Sequence, residues 1–220
     1  MIILLFGPPG SGKGTQARRI AEWLKVAPIS TGEMLREEYQ AGTELGLSTH
    51  LIISTGALVS DDVVNQLLLQ RFDQPDGQGG FLLDGYPRTL QQAVFLDNLV
   101  AERGLGPMLI LHLDVPAEVL IRRIEARRYC PVCHRTYNLR SRPPKHDTLC
   151  DDDGTPLIER RDDSAAVIAE RLRAYEQMTR PIVDYYADRN YHRIDGNRPP
   201  AEITAELASI LQPLAMLPQE

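Results

Sequence analysis

The chain has 220 residues, enough for one core with small insertions, and it can bury that core without disulfides. Apolar residues make up 43% and charged residues 25%, as in a soluble globular protein, and a formal net charge of −6 argues against a general nucleic-acid binder. Only Lys13, Lys25 and Lys145 of the 24 basic residues are lysine, a bias that base composition explains better than an anion site does. The first element, Met1–Phe6, is an unbroken apolar run and predicts a strand buried on both faces, as in a parallel sheet. A glycine-rich loop from Gly7 to Gly14 follows. Ala17, Ile20, Ala21 and Leu24 then recur at helical spacing. Residues 27–30 form a short strand candidate. Residues 31–60 read as two short helices with no strand between them, with Ser30 and Glu33 at capping-box spacing. Helical patterns at about 61–72, 89–101, 116–127 and 163–188 alternate with strand candidates Phe81–Asp84, Met108–Asp114 and Tyr191–Asp195. Residues 128–160, with four prolines, three cysteines and Asp151-Asp152-Asp153-Gly154, favour turns and short hairpins.

This alternation predicts an α/β three-layer fold with a central parallel sheet. The stretches at 31–60 and 127–164 project as insertions from a core made of 1–30, 61–126 and 165–220. No apolar run approaches the ~20 residues that span a bilayer. The first run breaks at Gly7-Pro8-Pro9, unlike a signal peptide. Three cysteines, an odd number confined to 130–150, fit clustered thiols rather than a disulfide framework. The expectation is a cytoplasmic protein that binds neither membrane nor nucleic acid.

Gly7-Pro8-Pro9-Gly10-Ser11-Gly12-Lys13-Gly14-Thr15 reads G-x-x-x-x-G-K, with one glycine between the lysine and the threonine. Placed after a strand and before a helix, it is a P-loop. Its backbone N–H groups turn inward around an anion, and Lys13 adds a mobile charge for the outer phosphates. A glycine-rich turn without a ligand is the plainer alternative, and the ordered strand, lysine and helix disfavour it. Asp84 ends an apolar strand, where ligands of parallel sheets bind, and a carboxylate there can hold Mg²⁺ through water.

Asp84-Gly85-Tyr86-Pro87-Arg88-Thr89, with Gln92, resembles the nucleoside-monophosphate-kinase family. The glycine loop, Ile29-Ser30-Thr31-Gly32-Glu33-Met34-Leu35-Arg36 and Asp114-Val115-Pro116 also resemble it. So do Arg123, Arg127-Arg128, Arg160-Arg161-Asp162-Asp163, Arg171 and Asp195-Gly196. The likeness runs in order along nearly the whole chain and is closest in kind to the long-lid bacterial adenylate kinases. It implies a transferase that moves a phosphoryl group reversibly from MgATP to AMP, giving two ADP, and that works as a monomer. It implies ATP contacts at Gly10, Ser11, Gly12, Lys13, Gly14, Thr15, Arg123, Arg127, Thr136, Tyr137 and Arg198. AMP contacts are implied at Thr31, Arg36, Ala57, Leu58, Val59, Gly85, Arg88, Gln92, Arg160 and Arg171. The catalytic set it implies is Lys13, Asp84, Arg88, Arg127, Arg160 and Arg171, with 31–60 as the AMP-binding insertion and 127–164 as the lid. Phosphoryl transfer asks for positioning and charge stabilisation more than covalent chemistry, which suits a ring of arginines and a water-excluding lid.

Cys130-Pro131-Val132-Cys133 and Cys150-Asp151-Asp152-Asp153 make two turns of metal-binding spacing. They predict a structural Zn²⁺ site in a ribbon-like lid, with Cys130, Cys133, Cys150 and Asp153 as ligands. His134, His146, Asp151 and Asp152 compete for the fourth position, iron is the other metal considered, and three unmetallated thiols are the plain alternative. Three rival functions are a kinase for UMP, CMP or GMP, a P-loop switch protein, and a zinc-ribbon nucleic-acid module. The switch leaves Arg36 and Arg88 without a purpose. The acidic charge and complete P-loop oppose the nucleic-acid module.

Overall fold

A computed structural model describes residues 1–215. Five parallel strands form the central sheet: β1 (Ile2–Phe6), β2 (Ala27–Ser30), β3 (Phe81–Asp84), β4 (Met108–Asp114) and, last in the chain, β7 (Tyr191–Asp195). Their spatial order is β2-β3-β1-β4-β7, with Leu4 beside Leu83 on one side and Ile110 on the other. Strand alternation sends Ile2, Leu4 and Phe6 to one face and Ile3 and Leu5 to the other. All five are buried, so both faces need cover.

The first face packs against α4 (Asp61–Phe72) and α5 (Leu90–Glu102), through Leu67, Leu68 and Leu96, and against α8 (Arg180–Tyr186) through Ile182 and Tyr186. The second packs against α1 (Lys13–Leu24) and α9 (Pro200–Ala215). The three-layer expectation holds. The α9 helix had no counterpart in the sequence reading, although Ile203, Leu207 and Leu211 recur at i, i+4 and i+8 and all face the core.

Between β2 and α4 lie α2 (Thr31–Gln40) and α3 (Glu44–Ser54), the expected helix pair. The expected capping box does not form: Ser30 stands at the N-cap of α2 but its hydroxyl makes no cap hydrogen bond. Thr43 caps α3 instead, accepting from the Gly46 N–H at 3.0 Å. The 116–127 pattern is α6, shorter at Ala117–Glu125. The 163–188 pattern is one unbroken helical run over 165–186, with an irregularity inside it. It comprises α7 (Ala165–Ala174), a π-turn at Tyr175–Thr179, and α8. Pro181 has no N–H to give the ladder, and the Arg180 N–H reaches back five residues to the Tyr175 carbonyl.

After α6 the chain enters β5 (Arg127–Tyr129), which pairs antiparallel with β6 (Thr136–Asn138). A further bridge joins Tyr129 to Ile158. Cys130, Tyr137 and Cys150 are the buried centre of this small unit.

Candidate active site

The glycine loop leaves the end of β1 and enters α1. Gly10 and Gly12 adopt φ of +82° and +99°, and a Cβ on Gly10 would lie 2.8 Å from Ile124. Only glycine keeps the loop this tight with its N–H groups converging at the start of α1. Lys13 lies back across the loop, its Nζ donating to the Gly7 carbonyl at 2.6 Å and the Pro8 carbonyl at 3.0 Å. Burial pulls its pKa down to about 8; Asp84 opposes that, while Arg88, Arg171 and Arg127 add to it. The loop is therefore a buried cation among cations, the complement of a polyanion.

Asp84 stands across from the loop at the end of β3, where a Cβ on Gly14 would be 3.4 Å from its Oδ2. Burial raises its pKa, with the Lys13 charge working the other way. A buried carboxylate beside phosphate-binding groups is a fitting outer ligand for hydrated Mg²⁺.

Beyond Asp84 the chain turns at Gly85, whose φ is +80°. The Gly85 carbonyl accepts from Thr31 Oγ1 at 2.9 Å and from Arg88 Nε at 2.7 Å. A Cβ on Gly32 would be 3.4 Å from Arg36 Nη1 and 3.7 Å from Arg88 Nη2, so the two guanidinium groups share one place above α2. Burial, then repulsion from Arg171, brings the Arg88 pKa down to about 10. Gln92 is 2% exposed. Its Oε1 accepts from the Arg88 N–H and its Nε2 donates to Asp61 Oδ1, both at 2.7 Å. One amide hydrogen and one lone pair of Gln92 stay free of these two bonds.

The lid side supplies three more arginines. Arg127 forks onto Asp163, with Nε to Oδ2 at 2.7 Å. Arg171 of α7 bonds Asp162 Oδ2 at 2.8 Å and Asp163 Oδ1 at 3.1 Å. Arg160 approaches Thr136 Oγ1 at 3.4 Å, and its pKa falls to about 9 through burial and the nearby Arg127 and Arg36. Burial opposes ionisation of Asp162, but Arg171, Arg36, Arg160 and Arg127 outweigh it and hold its pKa below the ordinary value. A cavity of about 80 Å³ opens among Lys13, Gly85, Arg88 and Arg171, with Gly56, Leu58, Tyr175 and Thr179 on its other walls. A larger groove of about 310 Å³ lies between α2 and α4. It is lined by Glu33, Glu37 and Glu38 against one cation, Arg71, and so repels the anions the first site attracts.

Two turns of the small unit bring Cys130, Cys133, Cys150 and Asp153 together, with one ligand atom from each within 4.8 Å of the others. Tetrahedral zinc with bonds of about 2.0–2.3 Å needs this spacing, so the four can hold a metal such as zinc. Cys133 Sγ lies 3.4 Å from Cys150 Sγ, and Asp153 Oδ2 lies 3.3 Å from Cys130 Sγ. The rival fourth ligands are committed elsewhere. Asp151 accepts from the Lys145 N–H, Asp152 pairs with Arg135, and His134 Nδ1 faces Glu37 Oε1 at 3.4 Å. His146 is outside the cluster.

Comparison with known proteins decides the class. The family model described as Adenylate kinase matches residues 5–191. The adenylate kinase of Kosmotoga olearia is 44% identical over 215 residues, covering 97% of this chain and 100% of that protein. The adenylate kinase of Acholeplasma laidlawii is 42% identical over 96% of this chain and 97% of its own, and that of Petrotoga mobilis 43% over 96% and 98%. The chain belongs to the adenylate kinase family. It is a phosphotransferase, and the three-thiol cluster in its lid matches the metal-lid form of that family.

Within this adenylate kinase fold Lys13, Leu58, Gly85, Arg88 and Arg171 of the sequence-predicted residues line one cleft, and several others are engaged elsewhere. Val59 is buried in the core beside α4, while Ala57 is exposed. Arg123 is tethered by Nη1 to the Gly196 carbonyl at 2.9 Å, next to the glycine loop. Arg198 is paired with Glu206 of α9. Tyr137 points into the metal unit, its hydroxyl accepting from the Asp151 N–H at 2.7 Å and meeting Cys150 Sγ at 3.4 Å. The sequence reading missed Asp61, beneath Gln92 and Thr89, and it quoted Asp162 and Asp163 without giving them a role, although they lie beneath Arg171 and Arg127. It also missed Tyr175 and Thr179 of the π-turn, Thr179 Oγ1 donating to the Arg88 carbonyl at 3.0 Å. Asp61 carried a faint signal as an acid in the first turn of a predicted helix. Tyr175 and Thr179 carried none. No helix among the described residues is long and apolar enough to cross a membrane.

Proposed function

We propose that the enzyme transfers the terminal phosphoryl group of MgATP to AMP, reversibly, giving two ADP. The carrying observation is the pair of cationic clamps flanking Asp84. Lys13 and its glycine loop lie on one side, Arg36 and Arg88 on the other, and the arginines of the lid stand between. Two anion sites facing one another serve a transfer between two nucleotides, whereas a switch protein needs one.

In this reading Lys13 follows the phosphoryl group from donor to acceptor. Arg88, fixed by its Nε bond to Gly85, holds the acceptor phosphate in line. Arg127, Arg160 and Arg171 stabilise the charge spread over the transferred group, Arg127 and Arg171 being held in place beforehand by Asp163 and Asp162. Asp84 would hold Mg²⁺ through water, the ion supplying charge neutralisation on the phosphate oxygens. Gln92 offers its remaining amide groups to the base of the acceptor, and so selects adenine over a base with a different hydrogen-bonding edge. Residues 31–60 act as the AMP arm and 127–164 as the lid that excludes competing water. Zinc on Cys130, Cys133, Cys150 and Asp153 is structural: all four positions are filled by protein, and the lid has too small an apolar core to hold itself.

The test is incubation of the purified protein with MgATP and, separately, AMP, UMP, CMP or GMP, reading ADP formation. ADP formed with AMP at a kcat/KM well above the other three supports the assignment. Equal use of UMP or CMP overturns the choice of acceptor, and no ADP with any acceptor overturns the reaction.

A further inference from the structure

Among the described residues, buried polar side-chain atoms without a hydrogen-bond partner are few, and three of them cluster at the lid–arm seam. They are the Tyr129 hydroxyl on β5, Arg36 Nε on α2 and Arg160 Nε on the segment after Ile158. Tyr129 is 4% exposed. Its ring packs between the His134 ring, with centroids 5.8 Å apart, and the Arg160 guanidinium, 4.7 Å from the ring centroid. A phenylalanine would fill that slot equally well. The hydroxyl adds a desolvation cost that only a hydrogen bond offsets. Its cationic neighbours are Arg36 and Arg160, with Glu33 as the near carboxylate. Guanidinium groups are donors only. Arg36 lies close enough to donate toward the hydroxyl oxygen, so what the Tyr129 proton and the Nε–H groups of Arg36 and Arg160 share is the want of an acceptor.

We propose that the Tyr129 hydroxyl is a further ligand of the acceptor's phosphate, donating to it from the lid alongside Arg36 and Arg160. A phosphate monoester brings three acceptor oxygens and the charge these arginines lack. The acceptor is the relevant nucleotide because Arg36 shares its place above Gly32 with Arg88, on the far side of Asp84 from the Lys13 loop. A tyrosine hydroxyl is protonated at neutral pH and can donate. The second lid-to-arm contact, His134 with Glu37, lies one residue further along α2 and holds the same seam together. The lid, whose evident task is to cover the donor, thereby contributes directly to binding the acceptor.

This inference rests on the assignment of AMP as acceptor, and its test separates the two. Wild-type protein and Tyr129→Phe, both checked for equal metal content and thermal midpoint, are assayed with ATP and AMP varied separately. Loss of one hydrogen bond to a charged group should raise the KM for AMP about tenfold. The KM for ATP should stay unchanged, and kcat should move by less than about threefold. Tyr129→His, which restores a donor on a ring, should recover part of the AMP affinity. Turnover of AMP by the wild type, with its KM unaltered in Tyr129→Phe, overturns the role of the hydroxyl and leaves the assignment standing. Equal rises in both KM values show a purely structural lid residue and also overturn it. A wild type that makes no ADP from AMP overturns both.

Discussion

Lys13 offers the most direct test of how burial and charge shape this cleft. Its ammonium is enclosed, faces three arginines, and has a pKa near 8 before nucleotide arrives. An incoming polyphosphate needs the protonated form, so donor capture should weaken as pH rises through that value. One pH unit above a pKa about a tenth of a group remains protonated. The kcat/KM for MgATP, which reports ionisations of the free enzyme, should therefore fall about tenfold between pH 7 and pH 9. Nucleotide phosphates are already ionised above pH 7 and contribute no fall there. Stability moves the opposite way. The unfolded lysine keeps its proton up to about 10.5 while the folded one releases it near 8, so this group adds stability as pH rises across that window. Lys13→Arg keeps the charge and should flatten the profile between pH 7 and 9 at a lower overall rate. Lys13→Met should lower kcat by on the order of 10²–10³. Steady-state kinetics at saturating AMP and constant free Mg²⁺ provide the measurement. A wild-type profile flat from pH 7 to 9.5 would refute the idea that burial governs this lysine.

The proposed acceptor clamp should divide by position: Arg36→Ala raises the KM for AMP by roughly 10–100-fold with little change in kcat, whereas Arg88→Ala raises that KM and also lowers kcat by on the order of 10², because in the proposed reading Arg88, fixed to Gly85, sets the line of transfer. Cys150→Ser should weaken metal binding by on the order of 10²-fold or more and melt the lid before the core, read by elemental analysis and by proteolysis within 127–164; a fully metallated variant with unchanged melting would count against the site. His112 bridges the Tyr191 hydroxyl at 2.7 Å and the Tyr175 hydroxyl at 3.1 Å, and burial lowers its pKa despite the opposing charge of Asp114. The folded state thus resists protonation that the unfolded state accepts, and stability should fall as pH drops below 6.5; His112→Gln should blunt that acid limb in urea titrations.

What the sequence made legible here is local, and what it hid is made by contacts between distant segments. The strand, loop and helix from Ile2 to Leu24 could be read directly because an apolar run, fixed glycines and a helical stripe each act within a few residues. The Cys130–Cys133 and Cys150–Asp153 turns were legible for the same reason, since the spacing sets the turn that presents each pair. The partner of an arginine was not. Asp163 lies 36 residues from Arg127, and Asp61 lies 31 from Gln92, and nothing in either neighbourhood announces the bond. One local signal misled, and another was read too coarsely. Ser30 and Glu33 carry the capping-box pattern, yet β2 holds Ser30 in a sheet ending beside Asp84, and the hydroxyl makes no cap bond. The stretch over 163–188 is helical as its periodicity says, but the pattern does not show the π-turn ahead of Pro181 whose Tyr175 and Thr179 line the cleft. In that case the departure from the local pattern is itself what delivers two side chains to the site. A straight α-helix would turn residues 175–179 through a different arc and remove the Thr179 bond to the Arg88 carbonyl. The π-turn ahead of Pro181 is therefore part of how this chain positions Arg88.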